Sequence, residues 1–440
     1  MATQTQTLAA PATCCVEPTV VGQPCGQEFE EEPALEVDCG QVEIVEKGGG
    51  ISFFERYLSL WVLLCMIVGS LIGYYVPQSA EALDKVQYAQ INGVVAVLLW
   101  IMIFPMLVQI DLASVLAVRK TPGAIMLTCA VNYLVNPFSM YGLAVLFFRC
   151  LYTSVIPDVL LCDNYIAGLI LLAGAPCTAM VFVWSTLMGG DPAYTLVQVV
   201  LNDLLMLVFY VPTAALLIGV SGIALPWGTI ILSVILFMVA PMIISAGIRV
   251  LIVRSYGEKF LNDRVVKPFK PVTISALLAM LVLIFIFQGK KIGSKPLHIL
   301  LLAIPIILQV VFNFCITYAW GYFTCMPHSR LAPASLIATS NFFELAVAVA
   351  ISAYGLDSGA ALATVVGVLV EVPLMLVLVK FCAFMKPRLD TKCMSCDETC
   401  AGARDMGQKL IADMTSGARG DSVRRRNVAA DPSGDAGLGA

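Results

Sequence analysis

Charged side chains are scarce in this sequence of 440 residues. Only 13% of the residues are Asp, Glu, Lys or Arg and 59% are hydrophobic, whereas about a quarter of a soluble domain is charged. The mean hydropathy of +0.88 agrees with this composition. The scarcity of charge argues against an ordinary soluble protein and predicts an all-α polytopic membrane protein. The small net charge of -4 points to no particular partner, and we expect no nucleic acid.

Two common signatures are also missing. The opening residues, MATQTQTLAAPATCC, have neither the basic start nor the apolar core of a secretory signal, so the first membrane helix is expected to direct insertion. The phosphate-binding pattern G-x-x-x-x-G-K-S/T does not occur, so nothing in the sequence indicates ATP hydrolysis. We therefore expect a protein that is not an enzyme and has no cofactor.

The two ends of the chain differ from its middle. Residues 1–55 are acidic and residues 386–440 are rich in Gly, Ala and Asp, compositions that cannot bury a core and predict disordered tails. The C-terminal tail carries Cys393, Cys396 and Cys400 within eight residues. No fourth ligand follows at a known interval, so a zinc knuckle is not favoured, and these thiols either capture a trivalent metalloid or have no ligand. A transporter domain is expected over residues 56–385.

Ten hydrophobic stretches lie between the tails, each near the ~20 residues that a membrane-spanning helix needs. An even number of spans places both termini on one side. The loops on that side contain eight Lys and Arg residues and the other loops contain five, so both termini are predicted to be cytoplasmic. The stretches are Tyr57–Val76, Ile91–Ile110, Gly123–Phe148, Ala167–Met188, Ala193–Val220, Gly228–Val253, Val272–Gln288, Leu297–Cys325, Pro333–Ala353 and Gly359–Met385.

Short matches between the two halves indicate an internal repeat. VLNDLLMLV, from Val200, aligns with LVEVPLMLV, from Leu369, and NPFSMY, from Asn136, aligns with NFCITY, from Asn313. Matches this short also arise by chance. If the repeat is real, two five-helix halves must have opposite topology, because five is an odd number of spans. Helix 4 then corresponds to helix 9.

Helices 4 and 9 are both predicted to be broken near their centres. LAGAPCTAMVFVW, from Leu172, contains Gly174, Pro176 and a cysteine, and IATSNFFELAVAVAIS, from Ile337, has Thr, Ser and Asn at its centre. Backbone groups released by such a break survive in a membrane only where they are buried in protein or line a cavity. Two interrupted helices at matching positions therefore predict a binding site near the middle of the membrane.

Glu344 is the strongest candidate for proton coupling. It lies three residues after Asn341, at membrane depth, where a charged carboxylate costs at least ~2.5–3.5 kcal/mol. A carboxylate in such a place can take up and release a proton as the cavity opens to either side. The alternative is a structural carboxylate bonded to Asn341 or to a neighbouring helix.

Cys177 follows Pro176 directly in the first broken helix. A thiol in this position faces released backbone amides that would stabilise a thiolate, and thiolates select soft metals and metalloids. The alternative is an inert buried cysteine that packs as a small apolar side chain.

Four further residues are candidates for the same cavity. Asp203 and Glu371 either share the proton, supply a counter-charge or make a structural hydrogen bond. Asn136 and Asn313 have the donors and acceptors to bridge a helix break, and a role in packing is equally open for both. We include Pro176 and Asn341 in the predicted substrate site because they lie at the breaks.

The long motifs AGAPCTAMVFVWSTLMGGDPAYTLVQVVLNDLLML and IATSNFFELAVAVAIS resemble the arsenical-resistance family of arsenite efflux permeases, within the bile/arsenite/riboflavin transporter superfamily. The resemblance runs from about Phe53 to Met385 and includes NPFSMYGLAVLFF. It implies ten helices in two inverted repeats and exchange of arsenite, in some members antimonite, for protons. The family's essential cysteine and glutamate match Cys177 and Glu344.

Two other functions remain open. A sodium-coupled organic-anion carrier shares the fold, and a metalloid sensor would signal through its tail thiols without transporting. For the transporter we expect arsenite or antimonite, protons and the lipid bilayer as partners. The sequence does not distinguish the plasma membrane from the vacuolar membrane.

Overall fold

The computed structural model describes residues 58–76, 78, 87–88, 91–108, 122–177, 180–223 and 226–392. The predicted N-terminal tail and the predicted C-terminal tail from residue 393 onward lie outside this part of the chain. The cysteine cluster at Cys393, Cys396 and Cys400 lies outside it as well. The predictions of disorder and of thiol chemistry in the tails therefore stay predictions.

The described residues fold almost entirely into helices. Outside them, β1 (Gln87–Tyr88) and β2 (Ile91–Asn92) pair antiparallel in a small hairpin. The helices are α1 (Leu58–Tyr75), α2 (Gly93–Val108), α3 (Gly123–Leu151), α4 (Val159–Ala173), α5 (Val181–Met188), α6 (Pro192–Val220), α7 (Trp227–Tyr256), α8 (Glu258–Ser294), α9 (Pro296–Phe323), α10 (His328–Ile337), α11 (Phe343–Tyr354) and α12 (Gly359–Lys392).

Within the described part of the chain, six helices are long and apolar enough to cross a membrane, namely α3, α6, α7, α8, α9 and α12. Shorter apolar helices lie in α1, α2, α4 and α11. Each hydrophobic stretch predicted from the sequence overlaps one of these helices or a pair of them. The chain is therefore an integral membrane protein with several spans. Its arrangement as ten spans in two inverted repeats stays a prediction.

Two helices are interrupted at the predicted positions. The helix α4 ends at Ala173 and α5 begins at Val181. Likewise, α10 ends at Ile337 and α11 begins at Phe343. Gly174 follows the first helix end, and a Cβ on it would lie 3.2 Å from the ring of Tyr210. Sequence chemistry explains the first break, because Pro176 has no N–H to donate to a helix.

The helix α11 lies at the centre of the protein. All residues from Phe343 to Ser352 are buried. By contrast, helices at the periphery have large apolar side chains on their outer surface, including Leu300 and Phe323 of α9. An apolar outer surface is what contact with lipid tails requires.

Small residues allow the helices around this centre to approach closely. A Cβ on Gly168 of α4 would lie 2.8 Å from the Cα of Ala360 in α12, which no side chain tolerates without a shift. Glycine at this position therefore sets the distance between α4 and α12, as small residues commonly do in membrane helix packing.

The last helix extends further than the sequence suggested. The hydrophobic stretch ends at Met385, but α12 continues to Lys392, so the expected tail boundary at residue 386 falls inside a helix. Lys392 donates a hydrogen bond to the carbonyl of Tyr322 at 2.8 Å and lies over the ring of Tyr322 at 3.5 Å. Hydropathy alone misses this extension because the added turns are polar and are held by tertiary contacts.

Candidate functional site

The two helix breaks cross each other and pair through their backbones. Pro176 and Asn341 form an antiparallel β-bridge. On one side of it the N–H of Cys177 donates to the carbonyl of Ser340 at 3.0 Å, and on the other the N–H of Phe342 donates to the carbonyl of Ala175 at 2.7 Å. These bonds satisfy backbone groups that the breaks release, which is the condition for extended chain inside a membrane.

Asn136 of α3 is the centre of a buried amide network beside this crossing. Its Nδ2 donates to the carbonyl of Ala173 at 3.0 Å and to Oδ1 of Asn341 at 3.1 Å, so it holds both interrupted helices. Its Oδ1 accepts a hydrogen bond from Nδ2 of Asn313 at 2.8 Å and another from Nε2 of Gln309. The predicted residues Asn136, Asn313 and Asn341 thus lie in one network.

Cys177 lies at the crossing itself. Its side chain is buried, with 1% exposed, and its backbone N–H is tied to Ser340. Pro176, the bridge and the hydrogen bond from the N–H of Cys177 fix the backbone that leads into this residue. A buried thiol held by rigid backbone is suited to reversible covalent binding of a soft, thiophilic atom.

Glu344 lies in the first turn of α11 and is fully buried. Neither of its carboxylate oxygens accepts a hydrogen bond from any other residue that the structure describes. The positive end of the helix dipole favours negative charge at this position. The site therefore contains a carboxylate with unused acceptor capacity, three residues from the bridged Asn341.

Glu371 of α12 supports the second break directly. Its Oε1 accepts a hydrogen bond from the backbone N–H of Asn341 at 2.8 Å, and only 2% of the surface of Glu371 is exposed. Its second oxygen has no hydrogen-bond partner among the described residues. Asp203 of α6 is also buried and lies next to Asn202 in the chain. Glu371 thus contacts the crossing directly.

Sequence reasoning missed several buried amides, one of which belongs to the network at the crossing. Gln309 completes the network of Asn136, and three other amides, Asn132, Gln198 and Asn202, are fully buried. The signal was present in the sequence, because each is an amide within a hydrophobic stretch, where a polar side chain is costly unless it is bonded or used. The described residues contain no group of three or more His, Cys, Asp or Glu side chains that could hold a metal ion.

The whole membrane part of the chain is similar to known proteins. The chain is 49% identical over 341 residues to the arsenical-resistance protein Acr3 of Alkaliphilus metalliredigens, covering 78% of this chain and 95% of that protein. It is 39% identical to an uncharacterized transporter of Synechocystis, over 81% of this chain and 96% of that protein. The arsenical-resistance protein Acr3 of Corynebacterium glutamicum is 28% identical, over 78% of this chain and 92% of that protein. The sequence model of the sodium bile acid symporter family matches residues 96–295.

Proposed function

The chain belongs to the arsenical-resistance protein Acr3 family, and we therefore propose that it exports arsenite across a membrane and confers arsenic resistance. The observation that carries the proposal is the crossing: Cys177 directly follows one bridged residue, Pro176, and Glu344 lies three residues after the other. In this proposal the thiol of Cys177 and the unpaired carboxylate of Glu344, both buried, act together at the crossing.

The chemistry of arsenite explains why both groups are needed. Near neutral pH it is the uncharged As(OH)3, which a charged patch cannot capture. The thiol of Cys177 bonds the arsenic and releases one water, giving a thiolate–As(OH)2 adduct, and the reverse reaction releases the substrate. The unpaired oxygens of Glu344 accept hydrogen bonds from the remaining hydroxyls. The same chemistry extends to antimonite, the trihydroxide of the next element in the group.

Proton exchange supplies the driving force in this proposal. Deprotonated Glu344 holds the hydroxyls while the site faces the cytoplasm, and its protonation on the opposite side weakens that hold and releases arsenite. The proton then returns inward. Each elementary charge moved is worth about 2.3 kcal/mol per 100 mV, so the membrane potential can drive export against a gradient. Glu371 and Asp203 either share this proton or supply the counter-charge.

The proposal includes an architecture and a location. Ten spans form two inverted five-helix repeats, and the interrupted spans cross at the site. Both termini are cytoplasmic, so that the protein exports arsenite from the cell or into a vacuole with the same topology. The bridge between Pro176 and Asn341 supports this arrangement, because it relates the two breaks to each other in antiparallel fashion.

One other transport function has an observation in its favour. The match of residues 96–295 to the sodium bile acid symporter family favours a sodium-coupled organic-anion carrier. Against it stands the chemistry of the crossing, because the proposed site uses a thiol and a carboxylate, whereas an anion would need donors or cations. Sodium-dependent uptake of a bile acid would favour this second function.

The test is arsenite uptake into everted membrane vesicles, whose outer face corresponds to the cytoplasm. An imposed pH gradient, acid inside, is expected to drive uptake, and collapse of the gradient with a protonophore is expected to stop it. Uptake that continues undiminished after collapse would remove the proton-exchange step. Vesicles without arsenite uptake under any gradient would remove the proposed function.

A further inference from the structure

A second group of buried polar side chains lies apart from the crossing, and the proposed function does not use it. Asn132 of α3 and Gln198 and Asn202 of α6 are each fully buried. Gln198 donates through Nε2 to the sulfur of Cys129 at 3.5 Å and to Oδ1 of Asn202 at 3.1 Å. The hydroxyl of Tyr133 donates to the carbonyl of Asn202 at 2.7 Å. These contacts join α3 to α6, and we call the five residues the amide cluster.

Polar atoms in the amide cluster remain unpaired. Both Nδ2 and Oδ1 of Asn132, Oε1 of Gln198 and Nδ2 of Asn202 have no hydrogen-bond partner within the described part of the chain. Leaving a buried polar group unpaired costs about 1–3 kcal/mol. Unpaired atoms on fully buried Asn132 and on the bonded pair Gln198 and Asn202 are a large cost for a structural role alone, and they indicate a place that binds something polar.

The amide cluster lies on the way to the crossing. Cys129, Asn132 and Asn136 follow one another on α3, whose segment Val131–Val135 is π-helical. Cys129 lies seven residues before Asn136 on this helix, which is fewer than two full turns. α3 and α6 both begin at the end of the protein that the Lys and Arg distribution assigns to the cytoplasm. The amide cluster therefore lies between the cytoplasm and the crossing.

The unpaired atoms define the class of ligand. Nδ2 groups are donors, and the Oδ1 and Oε1 groups are acceptors, so the cluster offers both kinds from uncharged amides. A metal cation prefers oxygen ligands alone and is repelled by N–H donors, while an anion needs donors alone. A neutral molecule whose hydroxyls both donate and accept satisfies the whole set.

We propose that the amide cluster of Cys129, Asn132, Tyr133, Gln198 and Asn202 is an entry subsite that binds neutral As(OH)3 by hydrogen bonds before the metalloid reaches the thiol of Cys177. This inference rests on the proposed function and adds a second binding position to it. Binding here is noncovalent and needs no proton transfer. Its effect is to raise the local concentration of substrate at the crossing.

The test is the variant Asn132→Leu, which keeps the size of the side chain and removes both unpaired atoms. The KM for arsenite in everted vesicles is expected to rise about tenfold, because roughly two hydrogen bonds to the substrate are lost. The maximal rate is expected to change little. The melting temperature of the purified variant is expected to stay level or rise, because a buried unpaired amide has been removed. The matched control is Gln288→Leu, a buried amide on α8 that donates to Leu356 and is expected to leave KM unchanged.

A second variant protects the test against a folding failure. Gln198→Met removes Oε1 at nearly constant length and is expected to raise KM in the same direction. Unchanged KM in both variants, with normal transport by the unaltered protein, would overturn the subsite and leave the proposed function intact. Uptake by the unaltered protein that requires sodium, with this requirement lost in Asn132→Leu, would also overturn the subsite, because it would assign the cluster to a cation. Absence of arsenite flux in the unaltered protein would instead refute the proposed function.

Discussion

Pro176 and Asn341, 165 positions apart in the chain, face each other in an antiparallel bridge between two interrupted helices. Proline at one bridged position lacks an N–H, and the N–H at the other is accepted by Glu371 at 2.8 Å. The two breaks are therefore stabilised differently, although each contributes one residue to the bridge. Glu371 supports the second break through the backbone of Asn341, a support that the first break cannot have at Pro176.

Replacing the thiol at the crossing tests substrate capture. Cys177→Ser is expected to reduce arsenite uptake by everted vesicles to the level of vesicles without the protein, because soft As(III) binds a thiolate in preference to a serine hydroxyl. Cys315→Ser, at an exposed position on α9, is the matched control and is expected to retain uptake. Full uptake by Cys177→Ser would show that the thiol takes no part.

Glu344 and Glu371 are expected to respond differently to the same change. Glu344→Gln cannot bind or release a proton, so we expect proton-driven uptake to be lost. Glu371→Gln retains an oxygen that accepts the N–H of Asn341, and if its role is to hold the break, most uptake should remain. The measurement is initial uptake rate as a function of the imposed pH gradient. Equal loss in both variants would indicate that the two carboxylates share the proton.

Asn136 is expected to be important for stability as well as for transport. Asn136→Leu leaves the carbonyl of Ala173, Oδ1 of Asn341 and Nδ2 of Asn313 without this partner. Because unpaired buried groups cost about 1–3 kcal/mol each, unfolding free energy should fall by at least about 2 kcal/mol. Thermal denaturation in detergent would measure it. The control is Ser233→Ala, which removes only a hydroxyl bonded within its own helix.

Helix spacing at Gly168 is open to a direct test. Gly168→Ala places a Cβ against the backbone of Ala360, and overpacking of this kind costs about 1–3 kcal/mol. Gly142→Ala, in the middle of α3, meets nothing within 4 Å and is expected to be neutral or slightly stabilising. Comparison of the two melting temperatures isolates the contact with α12, and a lower melting temperature for Gly142→Ala would contradict this explanation.

Deletion of residues 393–440 separates a transporter from a sensor. The deletion begins after Lys392 and so keeps the hydrogen bond from Lys392 to the carbonyl of Tyr322, which holds the end of α12 against α9. The membrane part is therefore expected to remain folded. A carrier should keep its arsenite uptake without Cys393, Cys396 and Cys400. Loss of uptake in a protein that still inserts normally would assign a role to the tail thiols.

The sequence by itself determined the membrane character, the hydrophobic stretches and the two breaks. These are local properties, since apolar runs, a proline without an N–H and polar residues within a span act over one or two helical turns. Gln309, Asn132 and Gln198 were equally visible as amides in apolar runs. The sequence could not say which of them bond to each other.

Only the tertiary structure decided how the breaks meet. The hydrogen bond from Asn136 to Asn341 joins residues 205 positions apart, and no local pattern specifies such a pair. The structure also distinguished Glu371, which accepts a backbone N–H, from Glu344, whose oxygens accept nothing from other described residues. In a membrane interior every released backbone group must find a partner, so the assembled protein, and not each helix alone, fixes the geometry of the site.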